Sequence, residues 1–259
     1  RTYVKLLTVA GLTGCFLFTS CRSAQETTAR YEISKVEGNM ITIDSTWDAN
    51  PDKKATTVLK PYKDKVDAMM YEVIGTSEMK MDKGTPESLL SNLVASVLQE
   101  AAAQVLGKPA DMGLVNMGGL RNILPKGDIT VGAVFEILPF ENSLCVLTMK
   151  GTDMKRLFKA IASLHGEGVS GIRLEINKKG ELLNATIGGK PVVDDQLYTV
   201  ATIDYLADGN GRMDAFLQAE KRECPEDATL RGLFLDYVRK QTAEGKIITS
   251  KLDGRITVK

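Results

Sequence analysis

The chain has 259 residues, with 33 basic and 33 acidic side chains and a net charge near zero. That balance disfavours a nucleic-acid polymer as partner, because phosphate backbones select basic faces. The single histidine, His165, excludes a histidine-rich dinuclear metal centre built from these residues, and no D-x-D-x-D-G spacing marks a calcium loop.

The opening stretch, RTYVKLLTVAGLTGCFLFTSCRSAQETT, runs from a basic start through an apolar segment to small residues and cysteine. That order fits a secretory signal ending in a lipobox. LTGC fits the lipobox locally at Cys15, but apolar residues continue to Phe18. Cys21 is therefore the expected lipidation site and residues 1–21 the signal, with an uncleaved or non-lipidated leader as the alternative. The expected location is the bacterial cell envelope, lipid-anchored, periplasmic or at the cell surface. Residues 22–60 read as a tether and an N-terminal hairpin. Tyr31–Ser45 would form the hairpin, turning at Glu37-Gly38-Asn39, and DANPDKKATT a loop anchored by the lone Trp47. The main domain is expected over residues 61–259.

Pro61 to Ile74 reads as a helix entering the strand MYEVIGTSEMKM. The clearest helix is TPESLLSNLVASVLQEAAAQVL. Thr85 suits its cap, Pro86 its first turn and Glu87 its dipole. Leu89, Leu90, Leu93, Val94, Val97 and Leu98 recur at three and four, and Gly107 stops it. The strand MGLVN, a glycine turn and a short helix at VGAVFEIL follow. SLCVLTMKG reads as a buried strand, with Cys145 a buried small hydrophobe. Cys224 falls in a charged loop, and no disulfide is expected. TDMKRLFKAIASL is a core helix capped by Thr152. GIRLEIN, LLNATIG and QLYTVATI, joined by KKG and GGKP, read as a strand meander. A helix at DATLRGLFLDYVRKQTA and a strand at GRITVK close the chain. Neither βαβ repeats nor an all-β order results, so the fold class is α+β, a layered mixed-sheet domain.

The chemistry concentrates in NMGGLR. Gly118 and Gly119 permit close backbone approach, amides at a strand end favour an anion, and Arg121 adds a fork matched to carboxylate or phosphate. No Walker or dinucleotide fingerprint is present. A tight turn with a salt-bridged arginine fits the same residues. Phe140, in LPFEN with Asn142, and Tyr205, opening DYLADGNGRM, would sandwich a flat ring if their loops converge. His165 reads as a capping or surface residue. No nucleophile with a paired base and no defensible carboxylate pair is visible, so no catalytic residue is assigned.

Four ordered motifs, NMGGLR, LPKGDITVGAVFEILPFENSL, LTMKGTDMKRLF and YTVATIDYLADGNGRM, resemble the C-terminal domain of the 5'-nucleotidase / UDP-sugar hydrolase family, over Asp64 to Phe216. The resemblance implies an α/β/β/α domain that binds the nucleoside while a separate metallophosphatase domain hydrolyses. By position, Phe140 and Tyr205 would stack the base, and Asn116 and Arg121 would meet the substrate. Four positions depart from the pattern. Met117 replaces the motif's first glycine, a mild change, Pro86 stands where the family commonly has arginine, Gly211 where it has the ribose-binding aspartate, and Arg212 where it has glycine. Asp208 or Asp214 is the expected substitute. With only ~60 residues before the family region, the resemblance implies a stand-alone C-terminal half. It would bind a nucleotide or nucleoside, carry no cofactor itself, and act beside a metallophosphatase chain holding divalent metals.

Overall fold

The computed structural model describes residues 32–259; the expected signal, Cys15 and Cys21 lie outside them. Two compact units are separated, one ending at Asp52 and one spanning Lys53–Lys259.

In the first unit, no strand forms among the described residues, so the expected hairpin at 31–45 is absent. Ile33, Met40 and Ile43 are all exposed. None of the three is covered, and an isolated two-stranded hairpin is marginal in water. Asp44 caps a 3-10 turn at Ser45–Ala49, and the Trp47 Nε1–H donates to the Thr42 carbonyl at 2.8 Å.

The second unit begins with helix α1, Lys53–Met70, which contains Pro61 and extends eight residues further upstream than expected. The proline removes one helical hydrogen bond. The Lys60–Asp64 and Lys63–Asp67 pairs flank it at i,i+4 spacing and support the turn. Then come β1 (Val73–Ser77), α2 (Leu89–Ala101), the single turn α3 (Ala103–Leu106), β2 (Met112–Val115), β3 (Gly127–Thr130), α4 (Val131–Ile137), β4 (Leu144–Lys150), α5 (Gly151–Ser163), β5 (Gly168–Ser170), β6 (Ile172–Ile176), β7 (Leu182–Ile187), β8 (Lys190–Pro191), β9 (Leu197–Ile203), α6 (Asp204–Ala207), β10 (Lys221–Glu223), α7 (Leu230–Ala243) and β11 (Ile256–Val258). A mixed five-stranded sheet has the order β10-β4-β9-β2-β5, a four-stranded sheet the order β11-β6-β7-β8, and β1 pairs with β3. Helix α2 packs on β2, β5 and β9, while α5 packs on β4 and β9 and also on β6 and β7. This is the expected α+β layering.

The departures have local causes. Ser88, not Thr85, caps α2, accepting from the Ser91 N–H. Glu87 does not serve the helix dipole. Its carboxylate accepts from the Asp253 and Arg255 amides and from Asn92 Nδ2, which ties the C-terminal segment to the helix entrance. Thr152 does not cap α5. The helix starts at Gly151, and its first amides donate to the Gln196 and Asp194 carbonyls. The meander also breaks. β6, β7 and β8 pair in one sheet, but β9 crosses to the centre of the other, where it joins β4 over seven residues.

A disulfide joins Cys145 to Cys224, against expectation. The cause is β10, a three-residue edge strand not apparent in the sequence. Its register sets Glu223 opposite Val146, so the next residue, Cys224, arrives opposite Cys145. Cys145 is fully buried, as expected, but bonded.

Where α2 crosses β2 the backbones nearly touch. A Cβ on Gly113 would lie 2.2 Å from the Ala95 carbonyl oxygen, a backbone atom with nowhere to go. Gly113→Ala is expected to cost about 1–3 kcal/mol or more through overpacking, read as a lower urea midpoint at unchanged slope.

Candidate functional site

The five-stranded sheet gathers the site by topology. β2 runs parallel to β9, and β4 and β5 run antiparallel to β9 and β2. The carboxyl ends of β2 and β9 and the amino ends of β4 and β5 therefore share one edge. Asn116 follows β2, Asp204 and Tyr205 follow β9, Phe140 and Asn142 precede β4, and Glu167 precedes β5.

Six residues from these segments line one cavity of about 340 Å³: Asn116, Gly118, Gly119, Phe140, Asn142 and Tyr205. All six were candidates from the sequence. Phe140 is 48% and Tyr205 44% exposed. The glycines make room for the asparagine. A Cβ on Gly119 would sit 3.1 Å from Asn116 Oδ1, and one on Gly118 would sit 3.4 Å from Asn116 Nδ2. Asn116 Oδ1 is buried without a hydrogen-bond partner. Such an acceptor, left unpaired, costs about 1–3 kcal/mol.

The other two candidates do not line the cavity. Arg121 is exposed; its guanidinium lies 6.0 Å from the Phe140 ring centroid, and Nη1 donates to the Gly118 carbonyl at 3.3 Å. It stands beside the aromatic wall. Asp208 pairs with Arg222 Nη1 at 2.7 Å instead. His165 is exposed, its N–H bonded to the Ala162 carbonyl at the end of α5.

Three residues that hold the site were not singled out from the sequence. Asp204 Oδ1 accepts from Asn142 Nδ2 at 3.0 Å and from the Tyr205 N–H at 2.7 Å, which joins the two aromatic loops. Arg231, 7% exposed on α7, donates to the Leu138 carbonyl, pairs with Glu141 and lies 4.1 Å over the Phe135 ring. It fixes the loop bearing Phe140. Glu167 is 9% exposed and accepts the Met117 N–H just after Asn116. Burial pushes its carboxyl up to about 7, although the Met117 bond opposes the shift. An acid flanked by glycines in HGEGVS was the one available signal. The periodicities of Asp204 and Arg231 did not set them apart, because their partners are 62 and 90 residues away.

The cavity's donor set does not suit a metal. It offers two amide side chains, and the adjacent Asp204 oxygen is already committed to Asn142 and Tyr205. Among the described residues, no group of three or more His, Cys, Asp or Glu is placed to hold an ion.

The described residues form a layered α+β domain with a cavity lined by two aromatics where the carboxyl ends of β2 and β9 meet. Residues 73–218, more than half the chain, match the family described as 5'-nucleotidase, C-terminal domain, and the chain belongs to that family. It is 27% identical over 238 residues to the trifunctional nucleotide phosphoesterase protein YfkN of Bacillus subtilis, covering 84% of this chain and 16% of that one. It is 27% identical over 240 residues to the cell wall protein Lmo0130 of Listeria monocytogenes, covering 82% and 30%. Among solved structures, a 5'-nucleotidase precursor from Thermus thermophilus superposes with a TM-score of 0.67 at 26% identity, covering 82% of this chain and 44% of that one. The chain thus spans less than a third of the two curated relatives and under half of the solved one.

Glu167 makes the site pH-dependent. Its folded-state pKa is raised to about 7, so the folded protein holds a proton that the unfolded chain loses near 4.5. Stability therefore falls as pH rises between those values, by on the order of 3 kcal/mol. Glu167→Gln keeps the acceptor for Met117 without the charge. Thermal melts from pH 4.5 to 8 are expected to show wild type declining across that window and the variant staying flatter; parallel curves would contradict it.

Proposed function

We propose that this chain is the substrate-recognition half of a split 5'-nucleotidase. The cavity takes the flat base of a nucleoside between Phe140 and Tyr205. Asn116 meets the ligand from below, and Arg121 stands where a phosphate would leave the cleft. Hydrolysis occurs at divalent metals on a separate metallophosphatase chain, and recognition adds to its rate by holding the substrate in place. One observation carries this reading: two half-exposed aromatics and an unpaired buried Asn116 oxygen, from segments distant in sequence, share one cavity. A ring satisfies the aromatics, and a hydroxyl or amino donor on the ligand satisfies the oxygen. The names of the nucleotidase and phosphoesterase relatives support its nucleotide part.

The reading places the protein outside the cytoplasm. A disulfide persists in oxidising compartments, one relative is named as a cell wall protein, and the opening residues read as a secretory signal with Cys21 as the expected lipidation site. A specific observation favours a second reading, a non-catalytic surface lipoprotein that binds a nucleoside or nucleotide-sugar. Asp208, which with Asp214 is one of the two expected substitutes at the ribose, is taken up by Arg222, and Gly211 offers no carboxylate.

Two measurements test the proposal. Mixing the purified chain with a metallophosphatase encoded beside it is expected to raise phosphate release from AMP; binding of adenosine with no effect on that enzyme would instead support the lipoprotein. By calorimetry, Phe140→Ala and Tyr205→Ala are each expected to weaken adenosine roughly tenfold, about 1.4 kcal/mol, in keeping with lost stacking and burial. Arg121→Ala is expected to weaken AMP far more than adenosine; equal losses would remove the phosphate role from that side chain.

A further inference from the structure

The segment Asp204–Met213 carries the Tyr205 wall and is conformationally demanding. Gly209 and Gly211 have positive φ, as does Arg212 at 67°, and Asp208, Asn210, Gly211 and Arg212 are exposed or half-buried. Two side-chain hydrogen bonds tie it to other segments among the described residues. At its start Asp204 meets Asn142; midway, Asp208 meets Arg222.

Arg222 sits on β10, the edge strand of the five-stranded sheet, three residues long and hydrogen-bonded on one side only. Such a strand is weakly held by its ladder alone. The cross-strand disulfide Cys145–Cys224 pins it to buried β4. The Arg222 guanidinium lies over both sulfurs, with Nε 3.3 Å from Cys224 Sγ and Nη2 3.8 Å from Cys145 Sγ. Its remaining nitrogen, Nη1, reaches Asp208 at 2.7 Å. Because the guanidinium is a rigid planar fork, fixing two corners sets the direction of the third.

We infer that Arg222, oriented by the Cys145–Cys224 disulfide, is a positioning residue for the Tyr205 wall of the cavity and acts through Asp208. The inference goes beyond the nucleotide reading and depends on it only for the identity of the ligand. Asp208 thereby belongs to the scaffold of the pocket, and the disulfide is part of the same strut.

Amide hydrogen exchange on the oxidised full chain tests this without a ligand. Arg222→Ala is expected to speed exchange at Asp208, Gly209 and Met213 by roughly three- to fivefold, the size of effect an exposed pair supports, with the β2 and β9 amides unchanged. Cys224→Ser, which leaves Arg222 in place, is expected to do the same. Unchanged loop exchange in Arg222→Ala, or acceleration spread equally through β2 and β9, would each overturn the strut. A parallel titration with adenosine separates the two ideas. A wild type that binds no adenosine sinks the nucleotide reading while the exchange rates still decide the strut. If adenosine binds, Arg222→Ala is expected to weaken it a few-fold, but to have no further effect in a Tyr205→Ala background.

Discussion

The antiparallel pairing of β4 with β9 is the constraint on which the rest depends. It runs over seven residues, from Leu144 opposite Ile203 to Lys150 opposite Leu197. A one-residue slip would turn every side chain to the other face. Because both strands are buried at nearly every position, such a slip is strongly disfavoured. The register therefore sets Asn142 and Phe140 on one side of the sheet edge and Asp204 and Tyr205 on the other. The parallel partner β2 then delivers Asn116 and its glycine turn to the same edge. Ligand sites at the strand ends of open sheets follow from this geometry, since loops there are held by the sheet yet free to vary.

Each aromatic wall is fastened from behind by an arginine on a later element. Arg231 of α7 grips the Phe140 loop through a carbonyl and Glu141, and its guanidinium lies over Phe135. Arg222 of β10 grips the Tyr205 loop through Asp208. Removing the partner of buried Arg231 leaves a charge uncompensated, whereas the Arg222 pair is half in water and individually weak. The two anchors therefore differ in burial, the Arg231 side chain being 9% and the Arg222 side chain 40% exposed. Behind the Asn116 turn, Glu167 adds a third support whose charge state changes near neutrality.

Chain elements with their own periodicity were legible in advance. Helices α2, α5 and α7 carry apolar residues at three and four, and β6 alternates buried and exposed as its sequence does. Their termini were less legible. Ser88 replaced Thr85 as cap because Glu87 is drawn to the amides of Asp253 and Arg255, and no local rule anticipates a partner 166 residues away. The hairpin at 31–45 failed for the opposite reason: the pattern is present but nothing covers it. The disulfide was missed because it requires knowing that Cys224 lies beside a strand paired with β4. Of the eight candidate site residues, six line one cavity; the family resemblance singled them out, since a glycine turn and an aromatic beside a proline fit a tight turn and a core residue equally well.

By itself the sequence determined the α+β class, the helices with a buried stripe, and the residue types able to meet a ring or an anion. These are properties of composition and local spacing. Only the tertiary structure decided that β9 leaves the meander for the other sheet, that Phe140 and Tyr205 face one space, that Asp208 serves Arg222, and that Glu167 is buried. Each of these depends on which strand ends lie side by side, and that is settled by burying both faces of the central sheet at once, a requirement no single segment carries.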